Sequence, residues 1–298
     1  MPVKMNDSFS FEKTILVTGS GGQLGMELWK LCDEYPSYKF LFTTREDLPI
    51  DNFKLVKIFF EQQQIHHCIN CAAYTAVDKA ESEKEKAFLI NADAAGNLSA
   101  ICKAHQAQLI HISTDYVFDG TSSTPYKEED RISPINVYGA SKLRGEEFVL
   151  NNNSSAVIIR TSWVYSSFGN NFVKTMLRLL KEKESINVVS DQYGCPTYAA
   201  DLAATIMTIV EKENGEHSQT GVFNYCNAGV VTWHEFAKAI KKFIKSKCSI
   251  NPIPTSAYPL PAKRPQYSVL DTTKIKKTFG ITIPNWKDSL HKCLSLLN

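Results

Sequence analysis

The chain has 298 residues, of which 43% are hydrophobic and 21% charged, enough to bury a sizeable core as one large domain or two smaller ones. A net charge of +2, from 33 basic and 31 acidic residues, leaves no concentrated basic face for nucleic acid, and no segment approaches the ~18–20 consecutive apolar residues that cross a bilayer. Met1 to Lys13 is polar and lacks the apolar core of a secretory signal, and eight cysteines lie scattered without a framework, so a reducing, cytoplasmic setting is expected.

The first half alternates strand-like and helix-like stretches. An apolar run over 14–18 stops at a glycine cluster, and a helical pattern follows through Leu24, Leu28 and Leu31. Strands are predicted over 39–44, 68–73, 109–114 and 156–164, with helices over 53–63, 87–104 and 137–150 between them. Near-continuous apolar strands alternating with helices predict an α/β fold, a doubly wound parallel sheet of Rossmann type covered on both faces. Beyond residue 165 helices dominate, over 171–183, 199–211 and 233–245. Prolines crowd 252–265, which should be extended. We therefore expect a nucleotide-binding domain over 1–165 and a smaller, mainly helical substrate lobe over 166–298. That boundary is soft, because the chain can cross between lobes more than once.

The first strand runs into Thr18-Gly19-Ser20-Gly21-Gly22-Gln23-Leu24-Gly25. Gly19 permits a tight turn, Gly22 removes a Cβ where a pyrophosphate approaches the backbone, and Gly25 allows the next helix to pack closely. That helix presents free N–H groups and the positive end of its dipole, so the strand–glycine–helix context predicts a dinucleotide. The second strand should end beside the adenosine ribose, yet Phe42-Thr43-Thr44-Arg45 carries no carboxylate before Glu46. Arg45 is placed to pair with a 2′-phosphate, which favours NADPH with NADH tolerated; the alternative is an arginine facing solvent. Asp51 is a candidate for adenine or ribose contact.

Tyr138-Gly139-Ala140-Ser141-Lys142 puts a tyrosine and a lysine on one helical face. The spacing alone carries little, since Tyr35 and Lys39 share it, but Pro36 and the following strand make that copy a decoy. The pair at 138 and 142 opens a helix after the strand ending in Ser113-Thr114-Asp115, where ligands gather in parallel sheets. Tyr138 then reads as the proton donor to a carbonyl, Lys142 as the ammonium that stabilises its phenolate and reaches the nicotinamide ribose, and Thr114 as the group that polarises the carbonyl. In His66-His67-Cys68-Ile69-Asn70-Cys71, cysteines three apart on a strand point to opposite faces and cannot share an ion. Those cysteines read as packing, and His111, within a predicted strand, as packing or orientation. The charged run Asp78 to Lys86 reads as a solvated helix start.

These residues resemble the extended short-chain dehydrogenase/reductase superfamily and, along nearly the whole chain, are similar to the dTDP-4-dehydrorhamnose reductase family. The matching segments are Asn70 to Glu81, Ser113 to Phe118, Arg160 to Tyr165, Gly169 to Phe172, Asp191 to Thr197, and Arg264-Pro265 with Ser268. The resemblance implies NAD(P)H contacts at Gly22, Gln23 and Leu24, around Asp51 and Asn52, and at Ala73, Tyr74 and Thr75. It implies substrate contacts at Thr114, Asp115 and Trp163, with Tyr138 and Lys142 catalytic. Trp163, at a strand end, would offer a flat face to a sugar or base. The implied reaction is hydride delivery to the C4 ketone of dTDP-4-dehydro-L-rhamnose. The implied partner is a nucleotide sugar, with no nucleic acid or membrane, and the chain a monomer or homodimer. The chain departs from the family where an aromatic can precede Ser113, since Ile112 stands there. Some members bind a divalent metal at a dimer contact; Glu27 sits at one suitable position, but Ala200 occupies another that wants a carboxylate, so no metal is expected. Related dehydratases carry Asp-Glu after the threonine; Asp115-Tyr116 lacks that glutamate, which argues for net reduction. Two alternatives are another nucleotide-sugar oxidoreductase or epimerase, and a non-catalytic subunit like the regulatory subunit of methionine adenosyltransferase.

Overall fold

The computed structural model describes residues 13–212 and 219–297, so the reading of the N-terminal stretch, apart from Lys13, lies outside the described residues. Strands β1 (Lys13–Thr18), β2 (Tyr38–Thr43), β3 (His67–Asn70), β4 (Gln108–Thr114) and β5 (Val157–Thr161) join the strand Gly221–Asn224 in a six-stranded sheet. All pairings are parallel, in the order Gly221–Asn224, β5, β4, β3, β1, β2. This is the doubly wound Rossmann-type sheet that the alternating pattern predicts. Its order reverses between β1 and β3, and that switch point opens a crevice at the C-terminal strand ends.

The strands read as unbroken apolar runs because both faces are covered; all five residues of β5 are buried. On one face Ile15, Val17, Ile69, Ile110 and Ile159 pack against helix α1 (Gln23–Leu31) and the helix Ala199–Lys212. On the other, Leu16, Cys68, Leu109 and Ile158 meet helix α2 (Phe53–Gln62) and the helices Ala94–Ala104 and Val137–Asn152. Each fully buried aliphatic side chain contributes roughly 1.5–3 kcal/mol. Cys68 belongs to the second cluster whereas Cys71 packs against the first, so the two cysteines do lie on opposite faces.

A separate core joins the helices Phe172–Glu182, Trp233–Ile244 and Trp286–Ser295. The helix at 233 starts where it does because Thr232 and Glu235 form a reciprocal capping box. Ser185–Val189 pairs in parallel with Ser249–Ile253, so the proline-rich stretch begins as an edge strand, but a 3-10 turn at Thr255–Ala257 interrupts the extended run expected there. The chain also returns to the sheet after residue 165, through Gly221–Asn224 and the helices Ala199–Lys212 and Thr273–Phe279.

Several segments differ from the expected elements; the strand expected over 156–164 ends at Thr161, and Val164–Tyr165 pairs with Thr197–Tyr198 outside the central sheet. The single helix expected over 87–104 is Lys84–Phe88, a π-turn at Leu89–Asp93, and Ala94–Ala104, the extra residue of the wide turn carrying Asn91 inward. The strand expected over 68–73 stops at Asn70, whose side chain binds the backbone N–H of Ala72 and turns the chain out of the sheet. The charged run at 78–86 is not simply solvated. Asp78 accepts from Arg264 at 2.8 Å, and Glu81 accepts from the backbone of Val137 at 2.8 Å, so two of its carboxylates tie distant segments together.

Candidate active site

A cleft of about 1060 Å³ lies over the C-terminal ends of the strands. Its floor begins at Gly19, which has φ +63° and no room for a Cβ, since one would lie 2.6 Å from the backbone of Ala72. Gly25 is as constrained: a Cβ there would lie 2.5 Å from the Ser20 backbone, so a side chain would push α1 off the turn. Gly22 precedes α1 with no side-chain cap, leaving the first-turn N–H groups as open donors toward the cleft. Gln23 ties this loop to the chain beyond β5, accepting from Asn171 Nδ2 at 2.9 Å and donating to the Val164 carbonyl at 3.4 Å. A glycine turn with uncapped helix donors beneath an open cleft fits a dinucleotide pyrophosphate.

Arg45 is exposed at the rim, with Asp51 beside it on the cleft wall. Asn52 stands apart: its side chain caps α2, accepting from Leu55 N at 3.1 Å, and it does not line the cleft. Ala73, Tyr74 and Thr75 follow β3 along the wall. Asn91, from the π-turn, holds Tyr74 by both backbone groups, at 2.8 and 3.0 Å, and donates to Ser141 Oγ at 2.9 Å. That clamp ties the loop after β3 to the Tyr/Lys helix. A lone asparagine inside a helical pattern gives no such signal in the sequence.

Thr114, Tyr138 and Lys142 converge in the same cleft. The helix Val137–Asn152 is capped by Asn136, whose side chain accepts from Gly139 N at 2.8 Å. The Tyr138 phenol is pushed up to about 12 by burial, against a hydrogen bond with Thr114. Thr114 Oγ1 donates to Asp115 Oδ1 at 3.0 Å, and burial raises the Asp115 carboxyl to about 7. Tyr116 stands edge-on to Tyr138, ring centres 5.8 Å apart. Lys142 is 1% exposed and its amine is lowered to about 8 by burial, partly offset by Glu146. Its Nζ donates to the Ile112 carbonyl at 2.6 Å and lies 3.3 Å from His111 Nε2. The lysine head is thus held by β4, and the position with an unusual isoleucine contributes through its backbone.

Beneath the helix, Glu146 and Arg160 form a buried pair, with Arg160 Nη2 2.7 Å and Nε 2.9 Å from the carboxylate. Ser113 Oγ donates to the same carboxylate at 2.5 Å. The geometry is bidentate and the remaining lone pairs are met, the condition under which a buried pair repays its desolvation.

The opposite wall carries Trp163, in a left-handed conformation with φ +47°. Its ring stacks on Trp233, centroids 3.5 Å and planes 8° apart, and Gly194 abuts it so closely that a Cβ would lie 2.5 Å from the ring. The expected lone aromatic face is therefore a slab of two indoles with one face already occupied. Trp233 went unread in the sequence, where it looks like the first residue of an amphipathic helix. Glu27 is buried and accepts from Ser166 Oγ at 2.5 Å, while burial raises its carboxyl. Among the described residues no group of three or more His, Cys, Asp or Glu is placed to hold a metal, and no helix is long and apolar enough to cross a membrane.

The family described as RmlD substrate binding domain matches residues 13–298. A dTDP-4-dehydrorhamnose reductase of Aggregatibacter actinomycetemcomitans is 41% identical over 93% of this chain and 96% of that protein. Among solved structures, a dTDP-4-dehydrorhamnose reductase from Clostridium acetobutylicum superposes with a TM-score of 0.91 at 39% identity, covering 95% of this chain and 99% of that one. Another, from Bacillus anthracis in complex with NADP, gives a TM-score of 0.90 at 38% identity, with 95% and 99% coverage. With similarity at this level along nearly its full length, the chain belongs to the RmlD family of dTDP-4-dehydrorhamnose reductases.

Proposed function

We propose that this chain reduces the C4 keto group of dTDP-4-dehydro-L-rhamnose to dTDP-L-rhamnose with NADPH, NADH being tolerated, in dTDP-rhamnose biosynthesis. The observation that carries this reading is the convergence of Thr114, Tyr138 and Lys142 in a glycine-floored cleft in a chain of this family. The turn Gly19 to Gly25 holds the pyrophosphate, Arg45 and Asp51 the adenosine end, and Ala73, Tyr74 and Thr75 the middle of the cofactor. Asn52 serves this end only by capping α2 behind Asp51. When bound, the reduced nicotinamide supplies the hydride to C4.

Tyr138 donates its proton to the ketone oxygen as the C4–H bond forms, so the C=O becomes a secondary alcohol and the tyrosine a phenolate. With its phenol raised to about 12 by burial, Tyr138 keeps its proton at neutral pH until the far more basic developing alkoxide takes it. Lys142 stabilises the phenolate and reaches the nicotinamide ribose. Thr114 gives its hydrogen to Asp115 in the free chain, and turns it to the ketone when the sugar arrives. Asp115 and the Trp163/Trp233 slab hold the nucleotide sugar. Residues up to 165, together with the segments that return to the sheet, form the cofactor lobe, and the remainder the sugar lobe. The enzyme works in the cytoplasm as a monomer or homodimer, without nucleic acid.

Mixing the protein with NADPH and a panel of nucleotide 4-keto-6-deoxysugars, while following the absorbance of reduced nicotinamide, tests the reading. One cofactor consumed per sugar is expected. Formation of a 4-keto-6-deoxy product from dTDP-glucose and NAD⁺ at a catalytic rate would overturn it in favour of a dehydratase.

A further inference from the structure

Three side chains run across adjacent parallel strands beneath the catalytic lysine. Thr18, Asn70 and His111 are register partners on β1, β3 and β4. Thr18 Oγ1 donates to Asn70 Oδ1 at 2.7 Å, Asn70 Nδ2 lies 3.0 Å from His111 Nδ1, and His111 Nε2 lies 3.3 Å from Lys142 Nζ. The ladder is closed to solvent: Thr18, Asn70, His111 and Lys142 are each at most 1% exposed.

The orientation of the Asn70 amide follows from its neighbours. The backbone N–H of Ala72 reaches its side-chain oxygen at 3.2 Å, and a backbone N–H only donates, so that atom is the oxygen and the NH₂ faces His111. His111 Nδ1 must then accept. A buried imidazole is neutral, and burial together with Lys142 holds this one well below the usual histidine range. A neutral imidazole that accepts at Nδ1 carries its single hydrogen on Nε2. That N–H points at the lysine nitrogen, where an amine lone pair welcomes it and an ammonium hydrogen does not.

We propose that Asn70 and His111 are positioning residues for Lys142: the Asn70 amide locks His111 as the Nε2–H tautomer, and that N–H opposes protonation of the lysine. This inference rests on the catalytic reading of Tyr138 and Lys142. The other groups facing Lys142 are Glu146, one turn along its helix and itself met by Arg160 of β5, and Tyr138, one turn before it. Burial lowers the amine to about 8 although Glu146 favours its charged form, and the His111 N–H acts in the same direction as burial. To make His111 accept from an ammonium, Asn70 would have to turn its oxygen toward Nδ1, giving up the Ala72 N–H bond beside Gly19. The charge on Lys142 is thereby linked to the backbone that floors the cofactor turn.

Asn70→Asp tests this directly. A carboxylate accepts from Thr18, from Ala72 N–H and from His111 at once, so the imidazole moves its hydrogen to Nδ1 and Nε2 accepts from Lys142. In reduction the charged lysine is the active form, so activity falls as pH rises through its pKa. The alkaline limb of kcat should move up by about one pH unit or more in Asn70→Asp, the size expected of a new charge-favouring partner. ¹⁵N NMR of labelled histidine, with the resonance assigned through His111→Gln, reads the tautomer without any turnover. Expected are Nε2–H in the parent protein and Nδ1–H in Asn70→Asp. An Nδ1–H tautomer in the parent protein, or an unmoved limb in a folded Asn70→Asp protein that has switched tautomer, overturns the proposal. A parent protein that shows the Nε2–H tautomer but reduces no nucleotide ketosugar overturns the catalytic reading instead, and leaves the lock standing as chemistry of the fold.

Discussion

The two walls of the cleft are built from different distances along the chain. One wall, formed by residues 19–25, 73–75 and 138–142, consists of segments that leave the ends of neighbouring parallel strands or the helix that follows one. Once the sheet forms in register, these residues are carried to the switch point together. The other wall is gathered from Trp163 after β5, Gly194, and Trp233 at the head of a helix in the second core. There the contacts are a ring against a ring and a ring against a bare Cα, and the left-handed backbone of Trp163 persists because the stack and Gly194 over-determine it. The first wall should therefore govern chemistry and cofactor, the second only how well the sugar is held.

The largest expected effect breaks the first wall at its reacting atom. Tyr138→Phe removes one hydroxyl from a packed ring, so fold and cofactor binding should survive while kcat falls ~10²–10⁴-fold. Near-parental turnover would mean that the proton comes from elsewhere. Next is the support beneath that wall. Arg160→Met leaves the Glu146 carboxylate buried without its partner, and a loss of ~3–5 kcal/mol is expected in a denaturant titration. A change under 1 kcal/mol would show that the buried pair adds little to stability.

Smaller effects separate the two walls. Arg45→Ala should weaken NADPH roughly ten- to a hundredfold with little change for NADH, the size of a charge-assisted contact; equal losses for both cofactors would return Arg45 to solvent. Trp233→Ala removes the back of the indole slab. It should raise KM for the nucleotide sugar by roughly tenfold or less, in line with ~0.5–1.5 kcal/mol for an aromatic pair, and leave the affinity for NADPH unchanged. A large loss of kcat instead would place Trp233 on the first wall's side of the comparison.

The sheet, the glycine turn and the Tyr/Lys face are legible in the order of residues, because each rests on a short-range rule. Continuous apolar runs mark strands covered on both faces, glycines at 19, 22 and 25 mark a backbone approach, and residues four apart share a helical side. Even the decoy at Tyr35 and Lys39 was legible, since Pro36 and the start of β2 split it across a turn and a strand. Which polar groups meet depends instead on the folded chain. The π-turn that aims Asn91 at Tyr74, the bond from Asp78 to Arg264, the Trp163/Trp233 stack and the ladder from Thr18 to Lys142 all join residues far apart in the chain. A polar group taken out of water needs partners, and strand order and packing set which ones lie within reach, about which the identity of the residue alone is silent.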